Sequence, residues 1–320
     1  MIRLFACAAA LAAFASAASA QAPVQIRIGH GNAVEEQLWL MKAKPDITPN
    51  QGKAYTLELT PFRGTDQRFQ AYEAGALDAA TSSGNTVLFA SSQGLAFKAL
   101  ASLSYEGSKG FVTQYYVRDD GSVSAIKDLK DKVVGINAFK SSIELWARIA
   151  IAKGGLNPDR DVKFAPVPFP AQGEALRSKK IDVGAFPQPF AAIESKKGGL
   201  KTLFTSKTAV PFDEVLMTVV FREEFMQKNP AAVRAFLADL VAATKWYLAN
   251  GKAARQALID TKMVQLPAEI YLDIEDNWRD PECRIDIGAM NKMQDMQVEL
   301  GFQKDKVDVA KVVDMSWLPK

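Results

Sequence analysis

The feature that most constrains this chain is a strand, loop and helix unit that keeps recurring. Val24 to Ile28 alternates like a strand, stops at Gly29, His30, Gly31 and Asn32, and gives way to a helical stretch from Glu35 to Lys44. Tyr55 to Thr60 predicts the next strand, leading through Phe62, Arg63 and Gly64 to a helix from about Thr65 to Ala74. Leu77 to Ala80 predicts a third, opening onto Ser82, Ser83, Gly84 and Asn85 and then a helix ending near Gly94. Strands alternating with helices at this spacing predict parallel strands with crossover helices, an α/β architecture.

The middle of the chain repeats the pattern. Val133 to Ile136 predicts a strand, Asn137 to Lys140 a loop, and Ser142 to Lys153 a helix closed by Gly154 and Gly155. Ser141 followed three residues later by Glu144 is a capping-box signature for that helix. Val162 to Val167, a helix around Gln172 to Ser178, and the strand Ile181 to Ala185 complete the second set. Leu77 and Asp78 stand in the same relation to Gly94 as Ile181 and Asp182 do to Gly198, an offset of 104 residues. Short strands follow at Lys98 to Leu100 and at Lys201 to Leu203. Identical element order in both stretches predicts two similar lobes. Phe111 to Val117 leads to the turn cluster Asp119, Asp120 and Gly121, so the chain is expected to cross between lobes over Val117 to Val123 and to return along Val215 to Phe221. The expected division is a first lobe from 21–117, a second from 118–212, and a return crossing with C-terminal helices on the first lobe from 213–320. Asn229 as N-cap with Pro230 behind it should start a helix that runs through Trp246 to Gly251.

The ends and the composition narrow the function. Arg3, an Ala-rich apolar run from Leu4 to about Ala17, and Ala18, Ser19, Ala20 read as a signal peptide cleaved after Ala20, so the mature chain is expected in the periplasm. The run is too short and too weakly apolar to span a bilayer, and Cys7 precedes the apolar segment instead of following it as a lipid-attachment cysteine would, so no membrane insertion is expected after cleavage. Cys283 is then the only cysteine and His30 the only histidine, which removes disulfides, Cys-based and His-rich metal sites, and most hydrolytic machinery. No cofactor is implied. A net charge of +3 gives no reason to expect nucleic acid. Residues 118–212 nevertheless carry 16 Lys/Arg against 10 Asp/Glu, a balance that suits either an anionic ligand or a lysine-decorated surface.

Four stretches resemble the sulfonate, taurine and nitrate group of ABC substrate-binding proteins, a group that also includes binders of thiamine-pyrimidine precursors. Gly75, Ala76, Leu77 and Asp78 leading into Ser83, Gly84 and Asn85 are similar to that family's strand entry and small polar loop. Ile126 to Gly135, reading IKDLKDKVVG, resembles the run that opens its second lobe. Ser141 and Ser142 match its serine-rich loop, while Phe186 to Phe190 lies where the family often has an aromatic, Asp, Pro and aromatic; Gln188 departs from that pattern. The resemblance implies a two-lobed type II periplasmic-binding fold, each lobe a mixed sheet flanked by helices, with a two-segment hinge and the ligand between the lobes. It implies a monomer that captures a small organic anion, a sulfonate or taurine first, and delivers it to the membrane permease of an ABC importer. The alternatives are a binder of a pyrimidine precursor or an aromatic carboxylate, a biosynthetic enzyme of the thiamine-pyrimidine type, and an extracellular sensor module.

In open α/β sheets ligands bind beyond the carboxyl ends of the strands. The loops at 30–32, 83–85 and 140–142 are expected there, each before a helix whose first turn offers free N–H groups and partial positive charge to an anion. Ser83, Gly84 and Asn85 facing Ser141 and Ser142 would clamp a head group when the hinge closes; the serines and Asn85 serve equally as N-caps. Arg63 could add a bidentate contact or be solvated. His30 and Asn32 follow the first strand, and Gln188 lies in the Pro-rich loop of the second lobe. Trp39, Phe62, Phe139 and Phe186 are candidates for an apolar wall, or for core.

Overall fold

The computed structural model describes residues 22–320, so the expected signal peptide and Cys7 lie outside the described residues. Strands β1 (Val24–His30), β2 (Tyr55–Pro61), β3 (Ala79–Ser83) and β4 (Lys98–Glu106) enter a first sheet. Next come β5 (Gln114–Arg118), β6 (Lys132–Ile136), β7 (Val162–Pro166), β8 (Gly184–Phe186) and β9 (Leu200–Thr205), after which β10 (Glu214–Phe221) returns to the first sheet.

The first sheet runs β2-β1-β3-β10-β4, with β1 parallel to β2 and β3, and β10 antiparallel to both neighbours. On the other side of the molecule, β6 pairs in parallel with β7, and β5 pairs antiparallel with β8 and β9. A bridge between Val134 and Val183 joins these pieces: Gly135 N–H donates to the Val183 carbonyl at 2.8 Å, and Asp182 N–H to the Val133 carbonyl at 2.7 Å. The order across the second layer is therefore β7-β6-β8-β5-β9, the same arrangement as the first.

The 104-residue offset has a physical counterpart in how each third strand is fastened. Asp78 accepts the Arg27 backbone N–H at 2.9 Å, and Asp182 accepts that of Val133 at 3.0 Å. Each carboxylate also takes an arginine, Arg27 for Asp78 and Arg118 for Asp182. Arg118, the last residue of β5, and Arg222, which directly follows β10, are themselves 104 apart: Arg118 Nη1 donates to the Ile181 carbonyl and Arg222 Nε to that of Leu77. Each lobe is thus tied at the same corner by the strand that has just crossed into it.

Several sequence boundaries shift. Gly29 and His30 belong to β1 instead of the loop after it. β3 takes in Ser82 and Ser83, and Gly84 is already the first residue of the helix Gly84–Ser92. β4 is much longer than its expected three residues. Gln114 to Val117, read as leading up to a crossing at 117–123, already pair within the second layer, so the chain changes sheets within 107–113 and returns within 206–213. The helix Ser142–Lys153 has both expected ends, with the Ser141 side chain accepting the Glu144 N–H. The helix Pro230–Ala249 begins as expected, but the Asn229 amide donates to the Phe225 carbonyl instead of capping it. That helix lies beside Glu36–Ala43, with Phe236 edge-on to Tyr55 and Phe221 and the Tyr55 hydroxyl donating to Asp239 at 2.8 Å. Among the described residues, no helix is long and apolar enough to cross a membrane.

Candidate functional site

A cleft opens between the two layers, lined from one side by the chain after β1 and β2 and the end of β3, and from the other by the chain after β6, β7 and β8. The reach from β1 into the following helix is short and strained. Val34 is held at φ 59°, a conformation that costs a β-branched residue on the order of 1–3 kcal/mol. Lys140 occupies the corresponding position after β6, also at φ 59°. Each residue immediately precedes the N-cap of its helix, Glu35 in one lobe and Ser141 in the other. Both turns aim a helix start at the cleft, and Ser142 and Ile143, whose N–H groups have no intrahelical acceptor, line it.

On the first-lobe side the floor is a buried charge pair. Arg68, on the helix Thr65–Glu73, donates to Thr81 Oγ1 at 2.9 Å and to Thr65 Oγ1 at 3.3 Å, and its Nη1 lies 3.7 Å from Glu35 Oε1. Glu35 also accepts from Thr81 Oγ1 at 2.8 Å and from the Gly31 N–H at 3.1 Å. Burial pushes its carboxyl up to about 7, against the downward pull of Arg68 and these hydrogen bonds. Arg68 Nε and Asn137 Oδ1 have no hydrogen-bond partner among the described residues, although both atoms are buried and both residues line the cleft. Buried polar atoms in folded proteins are nearly always paired, so these two are open to a partner that enters the cleft.

The expected site residues sort into three groups. Asn32, Arg63, Ser83, Ser141 and Ser142 line the cleft. Arg63 is exposed and makes no ion pair or side-chain hydrogen bond among the described residues, which leaves a cationic fork facing the cleft. His30 lies off the cleft proper, in an adjoining compartment: it is buried, its Nδ1 faces both the Gly31 carbonyl (2.6 Å) and Trp39 Nε1–H (3.1 Å), and burial pulls its ring down to about 4, so it is neutral near pH 7.

The remaining three do other work. Asn85 sits behind the cleft, where its amide takes hydroxyl hydrogen bonds from Ser83 at 2.8 Å and from Ser142 of the facing lobe. Thr86 Oγ1 adds a second tie by donating to the Lys140 carbonyl at 2.9 Å. Gly84 is a packing residue, since a Cβ there would stand 2.6 Å from the Val215 carbonyl oxygen. Gln188 turns onto its own helix and accepts the Ala192 N–H at 3.3 Å. Of the aromatic candidates, Phe62 lines the cleft and Trp39 the adjoining compartment, while Phe186 is core and Phe139 is about half exposed.

Sequence reasoning missed Glu35, Arg68, Thr113, Asn137, Trp146 and Met217, all in the lining. The one local signal was the Glu35–Glu36 doublet heading an apolar helix. Thr113 links the site to the crossover: its N–H and hydroxyl both donate to the buried Glu106, which stands opposite Glu214 in the β4–β10 register. Burial pushes Glu214 up to about 8, with Lys207 pulling the other way and Glu106 adding to the rise.

Two mixed sheets flanked by helices, joined by two crossovers over a cleft, define a periplasmic-binding-protein fold. The chain belongs to the NMT1-like family, whose model matches residues 19–261. Over 128 residues it is 28% identical to the nitrate/nitrite binding protein NrtA of Nostoc sp., a match that covers 40% of this chain and 29% of that protein. Its fold superposes on the alkanesulfonate-binding protein SsuA of Xanthomonas axonopodis with a TM-score of 0.73 at 17% identity, covering 92% of this chain and 99% of the other. The desulfurization enzyme DSZB also shares the fold, with a TM-score of 0.63 at 13% identity and coverage of 92% and 97%.

Proposed function

We propose that this protein is the periplasmic solute-binding component of an ABC importer, which captures a small organic anion between its lobes and delivers it to a permease. The observation that carries this reading is the cleft's supply of unused donors: the Arg63 guanidinium, the orphaned Arg68 Nε and the open first turn at Ser142 and Ile143. A sulfonate is the first choice of ligand, with Asn32 and the Ser142 N–H as further contacts, since the hydroxyl protons of Ser83, Ser141 and Ser142 are already given to Asn85 and Ala138. Binding requires no bond to break; closure of the lobes on the ligand is the signal, and it needs higher affinity for the closed form. The division proposed for the chain is a signal peptide cleaved after Ala20, a first lobe built from both ends of the mature chain, and a second lobe from its middle, working as a monomer.

The shared fold of DSZB keeps an enzyme in view as a second reading. Against it, Ser83 and Ser142 give their hydroxyl protons to Asn85, and Ser141 gives its own to the Ala138 carbonyl, so no cleft serine is held by a base.

The test is a thermal-shift and calorimetric screen of sulfonates, nitrate, aromatic carboxylates and pyrimidines, with product analysis alongside. Stoichiometric binding of an anion without turnover is expected. Arg63→Ala should weaken that binding at least about tenfold with an unchanged melting temperature, because Arg63 is exposed and has no side-chain partner among the described residues. Stabilisation by neutral or cationic compounds alone would reject the anion reading.

A further inference from the structure

The cleft continues into a second, wider compartment open to solvent, with Gly31, Asn32 and Phe169 lining both. It lacks the inner cleft's arginines and open helix turn. Trp39 forms one wall from the first-lobe side, backed by the buried Tyr271, Phe169 and Phe190 a second, and Met263 and Leu266 a third, supplied by the chain between the helices Gly251–Asp260 and Ala268–Tyr271. Phe169 and Phe190 stack with centroids 5.6 Å apart and planes 26° from parallel. The ionisable residues on these walls are paired or neutral: Glu194 and Lys197 meet at 2.8 Å, with Arg177 also on Glu194, and His30 is neutral.

A solute the size of nitrate or taurine would be satisfied by the inner cleft alone and would touch none of the third wall. Ligand sites are mostly apolar enclosures with a few placed polar groups; both spaces have apolar walls, and the arginines and the open helix turn lie only in the inner one. We infer that the ligand is an amphiphilic organic anion whose aromatic or alicyclic body lies in the second compartment against Trp39, Phe169 and Leu266, with its acidic head among Arg63, Arg68 and Ser142. This deepens the proposed function and rests on it for the placement of the head group.

The experiment compares methanesulfonate, benzenesulfonate and neutral benzyl alcohol by calorimetry and ligand-observed NMR, on the wild type and on two filling variants, Leu266→Trp and Met263→Trp, made separately. Benzenesulfonate is expected to bind at least about tenfold more tightly than methanesulfonate, from the extra apolar area buried. That ratio should collapse toward one in a folded filling variant. Equal wild-type affinities for the two sulfonates, or an advantage that survives in both variants, would overturn the inference. If neither sulfonate binds, benzyl alcohol decides: binding that Leu266→Trp or Met263→Trp abolishes keeps the apolar compartment and sinks the anion reading, whereas no binding of any of the three overturns both.

Discussion

Replacing Glu35 by glutamine should remove a pH dependence of ligand capture that the cleft otherwise imposes. Glu35 is fully buried beside the proposed head-group site, and burial raises its carboxyl to about 7. The charged groups around it are Arg68, which stays cationic, and Glu36, which is tied to Arg279; His30, at about 4, is neutral throughout the window. At pH 8 Glu35 is mostly ionised and opposes an incoming anion; at pH 6 it is mostly protonated. The protein can always protonate Glu35 before binding, and at pH 8 that costs about 1.4 kcal/mol for a group titrating one unit lower. Affinity for a sulfonate, whose own charge is constant, should therefore rise by up to about tenfold from pH 8 to pH 6. The same shift acts on stability. The folded protein holds this proton longer than the unfolded chain, so the contribution of Glu35 is fully present below the ordinary carboxyl range and is lost as pH rises through about 7. In Glu35→Gln the amide oxygen still faces the Gly31 N–H and Thr81, the charge is gone, and the affinity should be flat and close to the wild-type value at pH 6. Isothermal titration calorimetry from pH 6 to 8 checks this. A flat wild-type profile, or a slope that persists in the variant, would refute the assignment.

Three further outcomes follow from the packing. Ser141→Ala removes the cap on the Glu144 N–H and the hydroxyl bond to the Ala138 carbonyl, and should cost about 1 kcal/mol in urea denaturation; an unchanged midpoint would show the cap to be idle. Gly84→Ala forces a methyl group to within 2.6 Å of the Val215 carbonyl oxygen and should destabilise the protein by roughly 1–3 kcal/mol, read as a lower melting temperature by circular dichroism. Lys140→Ala deletes the Nζ bond to the Phe302 carbonyl at 3.1 Å and the contacts over the rings of Phe89 and Phe302 at 5.0 and 4.3 Å. Small-angle scattering should then give a larger radius of gyration for the ligand-free protein, and an identical curve would rule out a role in holding the lobes together.

Local chemistry made parts of this structure readable and left others silent. The helix Ser142–Lys153 was legible at both ends because a capping serine and a closing glycine sit beside it in the chain. β3 was placed too early because Thr81, Ser82 and Ser83 look like loop residues; they form a strand because β10 lies antiparallel across them, with Thr218 Oγ1 donating to the Ser82 carbonyl at 2.9 Å. A strand buried on both faces shows no alternation to read. The duplicated sheet order was visible as an offset of matching dipeptides, whereas the crossover positions depended on which strands pair. The Glu35–Arg68 floor was out of reach, since nothing within a turn of either residue indicates its partner. The third wall of the outer compartment is fixed only by how the helices after residue 250 pack.

The left-handed turns at Val34 and Lys140 have a thermodynamic consequence for uptake. Holding a valine and a lysine in that conformation is a cost met when the chain folds, and it fixes both loops before any solute arrives. Capture then carries little penalty for ordering backbone. The heat capacity change of association should reflect solvent stripped from the walls and from the facing lobe surfaces, and the slow step of release should be separation of two rigid bodies, with no melting of the loops that hold the cargo.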